Sequence, residues 1–360
     1  MRVLQLIDSL NAGGAEKLAI SYANVLADRY GASFLCATRE EGMLKNQLAN
    51  NVTYLFLKKT KTFDFAAIRR LVHFVKTHQI TIIHAHASSY FFAFLVKMYY
   101  SNIKIVWHDH YGNSEALHQR KSLPITIASF GMSAVISVNH LLKEWAVKKL
   151  YVKRVMYFPN FPVKNENEVP QTKLMGIEGK RIVCLANLRP QKDHKNLIDA
   201  FAKCTEQFPQ WTLHLVGKNF QDAYAEEIEA YVSYKKLEKV LYMYGSREDI
   251  SHILAQCDIG VLSSKSEGLP IALLEYGLHG VSVVVTDVGE CSKVVYNEQV
   301  GYIVPAQNSE ALAEKLQLLM QNEEIRARIA SNFTKHIEQN YSKEAIINKI
   351  HNLYTEIDKA

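Results

Sequence analysis

Short β-branched segments alternate with helical segments along the whole chain, in two successive series. The predicted strands of the first series are 3–7, 33–37, 54–57, 82–85, 105–108, 134–138 and 155–158. Those of the second series are 182–186, 213–217, 240–244, 259–262, 282–286 and 302–304. Because strands that alternate with helices form parallel sheets covered on both faces, the pattern predicts two doubly wound, Rossmann-like α/β domains.

A polar stretch at residues 159–180, rich in Pro, Asn and Glu, separates the two series and predicts a linker. We therefore expect a first domain at residues 1–163 and a second at 164–337. The chain has 360 residues, 48% of them apolar, which is enough for two buried cores. Since ligands of open parallel sheets bind beyond the carboxyl ends of the strands, two facing domains would enclose a cleft.

The last part of the chain is predicted to be helical. Its apolar residues recur at helical spacing, and they are Ile346, Ile347, Ile350, Leu353, Tyr354 and Ile357. A stripe of this kind has to be covered, so we expect the final helix to dock on another element.

The charge is unevenly distributed along the sequence. Residues 1–163 carry 20 Lys and Arg against 9 Asp and Glu, whereas residues 164–360 carry 22 against 27. The basic half predicts an anionic partner, such as a membrane surface or a phosphorylated acceptor. No basic stripe is interleaved with stacking aromatic residues, so we do not expect nucleic acid.

Other features indicate a cytoplasmic protein. The five cysteines are scattered, without metal-ligand spacing, which predicts neither disulfides nor structural zinc. Asp8 interrupts the N-terminus before a signal-peptide core is complete. Residues 122–142 lack Asp, Glu, Lys and Arg, and we interpret them as a buried helix followed by a strand rather than a membrane span.

The most informative motif is the segment 266–275, in which Glu267 and Glu275 lie eight positions apart. Gly268 and Pro270 frame an apolar helix start between them, since Pro is favoured in a first helical turn. The free N–H groups of that turn attract anions. Amides and two carboxylates in one site suit a ligand with both phosphate and sugar hydroxyls, such as a nucleotide sugar.

Two other loops after predicted strands carry groups that suit phosphate. Gly13 and Gly14 follow the first strand and allow close backbone approach before a helix N-terminus. Asn187, Arg189 and Lys192 follow the first strand of the second series, where cations would neutralise a diphosphate.

Two histidines, His108 and His110, flank Asp109 at the end of another predicted strand. They are candidates for a polar positioner or a general acid or base, with His108 preferred. A zinc pair would need further ligands, and no partner cluster is apparent, so we expect no metal. His84 and His86, which alternate on one face of a neighbouring strand, are interpreted as structural.

At these residues the chain resembles the family 4 retaining glycosyltransferases of the GT-B fold, over nearly its whole length. Glu267 and Glu275 match that family's E-x7-E motif. The resemblance implies that Glu267 faces the donor-sugar hydroxyls and that Glu275 binds the nucleotide ribose. It also implies that the backbone of Gly268 and Leu269 lies by the sugar and phosphates.

The resemblance extends to the other loops. Gly13 and Gly14 match the family's glycine loop, His108 matches the histidine that approaches the transferred sugar, and Lys192 matches the phosphate-binding lysine. The family commonly has arginine where this chain has Asn187, and Arg189 is close enough to substitute for it. The C-terminal helix, at residues 338–360, is expected to cross back onto the first domain.

The implied activity is transfer of a sugar from a nucleotide diphosphate donor, UDP rather than GDP, to an acceptor hydroxyl with retention of configuration. His108 and Glu267 would be catalytic, and without a D-x-D motif we expect no metal and no other cofactor. The acceptor would be a lipid-linked saccharide of polysaccharide or glycan biosynthesis. The basic, aromatic segments 58–63 and 143–149 would meet the inner face of the cell membrane.

Two alternatives remain open from the sequence. One is a sugar-nucleotide epimerase of the same architecture, which needs no acceptor. The other is a non-catalytic partner that binds nucleotide sugar and supports an active transferase.

Overall fold

The computed structural model describes all residues except Ala12, Gly112, Asn113, Asn160, 163–168 and Ala360, and it leaves the side chains of 114–116 undescribed. The chain forms two compact units. The first consists of Met1–Asn160 and Ile346–Ala360, and the second of Phe161–Ala345. The predicted domain boundary between residues 163 and 164 lies outside the described residues.

The first unit is built on seven parallel strands in the order β3-β2-β1-β4-β5-β6-β7. The strands are β1 (Val3–Ser9), β2 (Ser33–Glu40), β3 (Val52–Phe56), β4 (Ile82–His86), β5 (Lys104–Asp109), β6 (Ala134–Ser137) and β7 (Val155–Tyr157). The helices are α1 (Gly14–Tyr30), α2 (Phe65–Thr77), α3 (Tyr90–Tyr99), α4 (Leu123–Ser129) and α5 (His140–Lys149).

The second unit is built on six parallel strands in the order β10-β9-β8-β11-β12-β13. The strands are β8 (Arg181–Leu185), β9 (Thr212–Val216), β10 (Leu241–Met243), β11 (Ile259–Leu262), β12 (Ser282–Thr286) and β13 (Tyr302–Val304). The helices are α6 (His194–Thr205), α7 (Ala223–Tyr234), α8 (Ile250–Leu254), α9 (Ile271–Leu278), α10 (Cys291–Val294), α11 (Ser309–Gln321) and α12 (Glu323–Asn340).

The predicted fold class is confirmed, and every predicted strand is present with its ends within three residues of the prediction. The central strands are buried along almost their whole length, as expected for parallel strands covered on both faces. Their continuous apolar runs are what made them recognisable in the sequence.

The last helix, α13 (Lys343–Lys359), belongs to the first unit from Ile346 onward. Its apolar stripe is buried as predicted. The predicted start at residue 338 is wrong, because α12 continues to Asn340 and the hydroxyl of Ser342 caps a new helix by accepting from the N–H of Ala345. The hydroxyl of Tyr354 then reaches Nδ1 of His84 in β4, at 2.6 Å.

The segment 122–142 contains α4 and β6, so the predicted order of helix and strand is correct. The expectation that this helix is buried holds for one side only, on which Ile125 and Ala128 are covered. Leu123 and Ile127 in α4 are 72% and 49% exposed, and Phe130 beyond its end is 69% exposed. Among the described residues, no helix combines the length and the apolar character that crossing a membrane requires.

At the end of the linker, one carboxylate fixes the chain to the second unit. Asp249 accepts hydrogen bonds from the N–H groups of Gln171 and Thr172, at 2.9 and 2.5 Å, and from the Thr172 hydroxyl, at 2.8 Å. Burial raises the pKa of this carboxyl, but the backbone donors outweigh that effect and the pKa lies below its usual value. The ionised form is therefore favoured by folding.

We expect Asp249→Asn to lower the free energy of unfolding by about 1–3 kcal/mol near neutral pH, because a neutral amide oxygen accepts more weakly than an ionised carboxylate and only one of its two terminal atoms can accept. Since the folded-state pKa is depressed, the carboxylate stabilises the fold above its unfolded-state pKa of about 3.9 and loses that effect as the pH falls below it. Urea unfolding at several pH values should therefore show the deficit shrinking below about pH 4.

The matched control is Asp222→Asn. Asp222 caps α7 by accepting from the N–H of Ala225, and Asn caps helices about as well as Asp. This control should change stability by only a few tenths of a kcal/mol. A deficit for Asp249→Asn that persists unchanged at low pH would contradict the prediction.

Candidate functional site

The candidate site of the second unit forms where the connections of its sheet reverse direction. β8 lies between β9 and β11 at the centre of the sheet, so the loops that follow β8 and β11 emerge side by side. Ligands of open α/β sheets bind at this position. These are the two loops that carry Asn187, Arg189 and Lys192 on one side and Glu267 on the other.

An ion pair joins the two loops. The ammonium of Lys192 lies 2.6 Å from Oε1 of Glu267, and the hydroxyl of Ser264 donates to the same oxygen at 2.6 Å. The side chains of Lys192 and Glu267 are 22% and 8% exposed. A carboxylate held from both sides in this way is fixed in orientation.

The backbone beneath Glu267 is packed closely against a glycine. Gly289 has a φ of +56°, and a methyl group added there would lie 2.0 Å from the carbonyl oxygen of Glu267. The next residue, Glu290, donates its N–H to the carbonyl of Gly268 at 2.9 Å. Only glycine satisfies both the conformation and the spacing at position 289.

The helix that follows Glu267 is anchored by a buried tyrosine. α9 begins at Ile271 after Pro270, and Glu275 is its fifth residue. The hydroxyl of Tyr276 accepts from the N–H of Leu185, the last residue of β8, at 2.7 Å and donates to the carbonyl of Val261 in β11 at 3.2 Å. This ties the helix start to both strands of the switch point.

These elements enclose a cavity of about 330 Å³, here called the Lys192 cavity. The polar residues and helix start that line it are Asn187, Lys192, Ser246, Arg247, Ile271 and Glu275. A helix N-terminus attracts anions, so the end of the cavity at Ile271 is suited to one. Two cations, a helix N-terminus and a carboxylate therefore meet in one concave site.

The structure distinguishes among the residues predicted for this site. Asn187, Lys192 and Glu275 line the cavity, whereas Glu267 is connected to it through Lys192. Gly268 and Leu269 lie in the loop between Glu267 and α9. Arg189 does not line the cavity, and its guanidinium lies 4.8 Å from the ring of Phe220.

Two polar lining residues were not predicted from the sequence. Ser246 and Arg247 follow β10, at the same carboxyl edge of the sheet. The signal available in the sequence was their position after a strand, but an exposed Ser-Arg pair in a loop is too common to single out without the fold.

In the first unit, the glycine loop lies where the sequence placed it. Gly13 caps α1 in an extended conformation and the helix begins at Gly14, directly after β1. At the end of β1, Asp8 accepts hydrogen bonds from the hydroxyls of Thr38 and Ser88, both at 2.6 Å. These bonds tie β1 to the ends of β2 and β4, its two neighbours in the sheet.

His108 and His110 have different surroundings. His108 lies within β5 and is 0% exposed, so it does not face a cavity. His110, one residue past the strand, lines a second cavity of about 330 Å³, here called the His110 cavity, together with Ser88, Tyr90, Asp109, Tyr111 and Arg120. Burial lowers the pKa of His110 to about 3, so its ring is neutral at physiological pH.

Asp109 is held by an arginine that the sequence did not identify. Arg120 donates two hydrogen bonds to its carboxylate, at 2.6 and 2.8 Å, and lies 4.4 Å from the ring of Tyr111 and 4.3 Å from that of Trp145. Burial raises the pKa of Asp109, and the arginine opposes that shift. The pair fixes one wall of the His110 cavity.

Comparison with known families matches both halves of the chain. Residues 12–161 match the family described as Glycosyltransferase Family 4, and residues 167–336 match Glycosyl transferases group 1. The two matches leave only the linker and the chain ends uncovered.

Similar proteins are known in bacteria. An uncharacterized glycosyltransferase of Haemophilus influenzae is 23% identical over 94% of this chain and 95% of its own length. The UDP-Gal:alpha-D-GlcNAc-diphosphoundecaprenol alpha-1,3-galactosyltransferase of Escherichia coli is 21% identical over 96% and 94%. The N,N'-diacetylbacillosaminyl-diphospho-undecaprenol alpha-1,3-N-acetylgalactosaminyltransferase of Campylobacter jejuni is 27% identical over 60% of this chain, a match that spans 55% of that enzyme.

Solved structures share the fold. HepE of Anabaena in complex with UDP superposes with a TM-score of 0.78 at 20% identity, covering 99% of this chain and 100% of its own. A glycosyltransferase of Rickettsia africae superposes with a TM-score of 0.76 at 16% identity, covering 99% and 98%.

The packing at Gly289 generates a prediction. Gly289→Ala should lower the free energy of unfolding by clearly more than the cost of a left-handed backbone alone, because the methyl group would collide with the carbonyl of Glu267. The control is Gly280→Ala. Gly280 has a φ of +72° but its added methyl would meet nothing nearer than 3.9 Å, so only the conformational cost of about 1–2 kcal/mol is expected. Urea unfolding of both variants measures the difference, and equal losses would refute it.

Proposed function

The chain belongs to the family 4 glycosyltransferases, with their GT-B fold, and we propose that it transfers a sugar from a UDP-sugar to a hydroxyl of a lipid-linked saccharide. The observation that supports this most strongly is the Lys192 cavity, where an ammonium, the N-terminus of α9 and Glu275 converge at the switch point of the second unit. Such a set of groups suits a nucleoside diphosphate.

In this proposal the diphosphate contacts Lys192 and the N–H groups at the start of α9. Glu275, on the wall of the same cavity, accepts hydrogen bonds from the ribose hydroxyls. Glu267, which lies 2.6 Å from Lys192, then contacts the hydroxyls of the transferred sugar. One ion pair thereby connects the group that holds the phosphates to the group that orients the sugar.

The same groups account for catalysis. As the donor bond breaks, negative charge develops on the departing diphosphate, and preorganised positive charge at that point lowers the barrier. Lys192 and the amides of α9 supply it, and Arg247 adds a second cation on the cavity wall. Arg189, which lies against Phe220 outside the cavity, is not assigned a role.

We also propose that the transferred sugar retains its configuration, because the acceptor hydroxyl attacks from the face that the diphosphate leaves. The proton of that hydroxyl then passes to the leaving phosphate. No carboxylate pair is assigned to a double displacement. We also propose that the donor diphosphate needs no metal ion, since the sequence has no D-x-D motif. UDP is preferred because the E. coli relative is named for UDP-Gal and the HepE structure holds UDP.

For the histidine that approaches the sugar, we propose His110 in place of the predicted His108. His108 is fully buried within β5, and a side chain without access to a cavity cannot contact substrate. His110 lines the His110 cavity as a neutral imidazole, which can position a hydroxyl by donating or accepting a hydrogen bond. Gly13 and Gly14 remain proposed contacts to the donor at the start of α1.

We further propose that the first unit binds an anionic membrane surface through an apolar patch. This α4 patch consists of Leu123, Ile127 and Phe130, spaced along one side of α4, together with Tyr151, whose ring stacks on Phe130 at 4.4 Å. Its four side chains are 49–72% exposed. Lys148 and Lys149 end the neighbouring α5, so aromatic and basic groups occur together, as in interfacial proteins.

Calorimetric titration with UDP and GDP, without added metal, tests the donor site. We expect saturable binding of UDP, tighter than GDP, and loss of that affinity in Lys192→Gln. Absence of binding to either nucleotide would refute the proposed donor site.

Incubation with a UDP-sugar alone distinguishes a transferase from an epimerase. A transferase should leave the configuration of the sugar unchanged, whereas interconversion of two UDP-sugars would indicate an epimerase.

Glu267→Ala should separate binding from catalysis. We expect turnover to a polyprenyl-diphosphate-linked acceptor to fall by at least about 10²-fold, because a preorganised contact to the transferred sugar is lost. UDP affinity should stay within a few-fold of wild type. Glu298→Gln, at a residue whose side chain is 76% exposed, is the control and should behave as wild type. Wild-type turnover in Glu267→Ala would contradict the assignment.

Flotation with anionic vesicles tests the α4 patch. The double variant Phe130→Ser, Tyr151→Ser should bind about tenfold more weakly or worse, since each aromatic side chain contributes apolar burial of about 1.5–3 kcal/mol. Binding of the wild type should also weaken in high salt. Tyr234→Ser, at a residue 76% exposed on the second unit, should float like wild type. Equal flotation of the double variant and wild type would rule the patch out.

A further inference from the structure

Three histidines meet inside the first unit. His84 and His86 in β4 and His108 in β5 are each 0% exposed. His86 lies directly opposite His108 in the parallel pairing, and the two-residue period of a strand places His84 on the same face as His86. One ring nitrogen from each lies within 4.8 Å of the other two.

Two of these rings have nitrogen atoms without a hydrogen-bond partner in the part of the chain that the structure describes. They are Nε2 of His84 and both nitrogens of His108. Each buried polar atom left unpaired costs about 1–3 kcal/mol. Three such atoms at one point in a core are unusual, and they indicate a ligand that the nitrogens would hold.

The other nitrogens of the cluster are already oriented by fixed partners. Nδ1 of His84 lies 2.6 Å from the hydroxyl of Tyr354, and Nε2 of His86 lies 2.8 Å from Oε1 of Gln5. Because an amide oxygen only accepts, His86 carries its proton on Nε2 and a lone pair on Nδ1. Nε2 of His110 lies 3.2 Å from that Nδ1, and a bound ion would replace this contact. Histidines that bind metals are typically held in this way through the second ring nitrogen.

We propose that His84, His86 and His108 form a binding site for a divalent transition-metal ion, with Zn²⁺ as the occupant. Three imidazoles without a carboxylate favour zinc, copper, nickel or cobalt over magnesium and calcium, which prefer oxygen. Zinc–nitrogen bonds of about 2.0–2.1 Å place tetrahedral ligands about 3.3 Å apart, so binding would draw together nitrogens that now lie within 4.8 Å of one another.

The surroundings of the cluster are consistent with a stabilising ion. The ring of Tyr22 in α1 packs against all three imidazoles, with centroid distances of 5.6, 6.0 and 6.1 Å. His110, which lines the His110 cavity, lies 3.2 Å from Nδ1 of His86 and stacks on His108 at 4.1 Å, so its ring lies between the cluster and that cavity. The ion would join β4 to β5 and, through Tyr354, hold α13.

The ligands of this site lie in the first unit and do not line the Lys192 cavity. His110, the residue proposed to position the sugar, contacts two of them, but zinc binding itself is measured without any transfer reaction. The site adds a structural ion to an enzyme for which no metal is proposed at the donor diphosphate.

The first experiment uses the full chain, stripped with a chelator and then equilibrated with Zn²⁺ and gel-filtered. We expect about one zinc per chain by elemental analysis and a rise in Tm of roughly 5–10 °C in excess zinc. X-ray absorption of the zinc-loaded wild type should show nitrogen ligands at about 2.0–2.1 Å with imidazole scattering. Absence of retained zinc, or a shell without imidazoles, would overturn the proposal.

Variants assign the ion to the cluster. His84→Gln and His108→Gln should each lose the bound zinc and the Tm rise. His214→Gln is the matched control, since His214 is also 0% exposed but lies in the second unit, and it should keep both. Zinc retained in both cluster variants would overturn the assignment. If one variant fails to fold, the other variant and the absorption spectrum of the wild type still decide the outcome.

Discussion

The candidate donor site depends on the reversal of connections between β8 and β11. Parallel strands that are neighbours in space but distant in sequence bring their following loops together at the carboxyl edge of the sheet. The ion pair of Lys192 and Glu267 joins those loops at 2.6 Å, although the two residues are 75 positions apart. Without this juxtaposition the cation, the carboxylates and the helix amides would be three unrelated surface features.

Rigid packing behind the loops keeps this juxtaposition in place. Tyr276 connects α9 to β8 and β11 through its buried hydroxyl, and Gly289 lets the backbone approach Glu267 more closely than any side chain would permit. Both residues contact the backbone of the site elements, so each acts by positioning them. Preorganisation of this kind is what allows a few charged groups to favour a developing negative charge, because they need not move when it appears.

The interior of the first unit contains buried histidines and a buried ion pair. β4 and β5 place His84, His86 and His108 in one cluster, while Asp109 on the opposite face of β5 is neutralised by Arg120 among aromatic rings. Asp109 and Arg120 satisfy each other, whereas the histidine nitrogens are only partly satisfied. The ion pair therefore needs no further partner, whereas the histidine cluster still has nitrogen atoms that could bind a ligand.

The sequence by itself determined the strands, the two parallel sheets and the loops that carry Lys192, Glu267 and Glu275, because apolar runs and a proline at a helix start are local signals. Tertiary structure alone decided which of these residues share a cavity. His108 and His110 are two positions apart at the end of β5, but only tertiary packing, with Tyr22 of α1 against its ring, buried His108, whereas His110 lines a cavity. Arg247 and Arg120 were placed in the same way, because Arg247 meets Lys192 and Glu275 only through the sheet and the loop that folds Arg120 back onto Asp109 has no local pattern that encodes the contact.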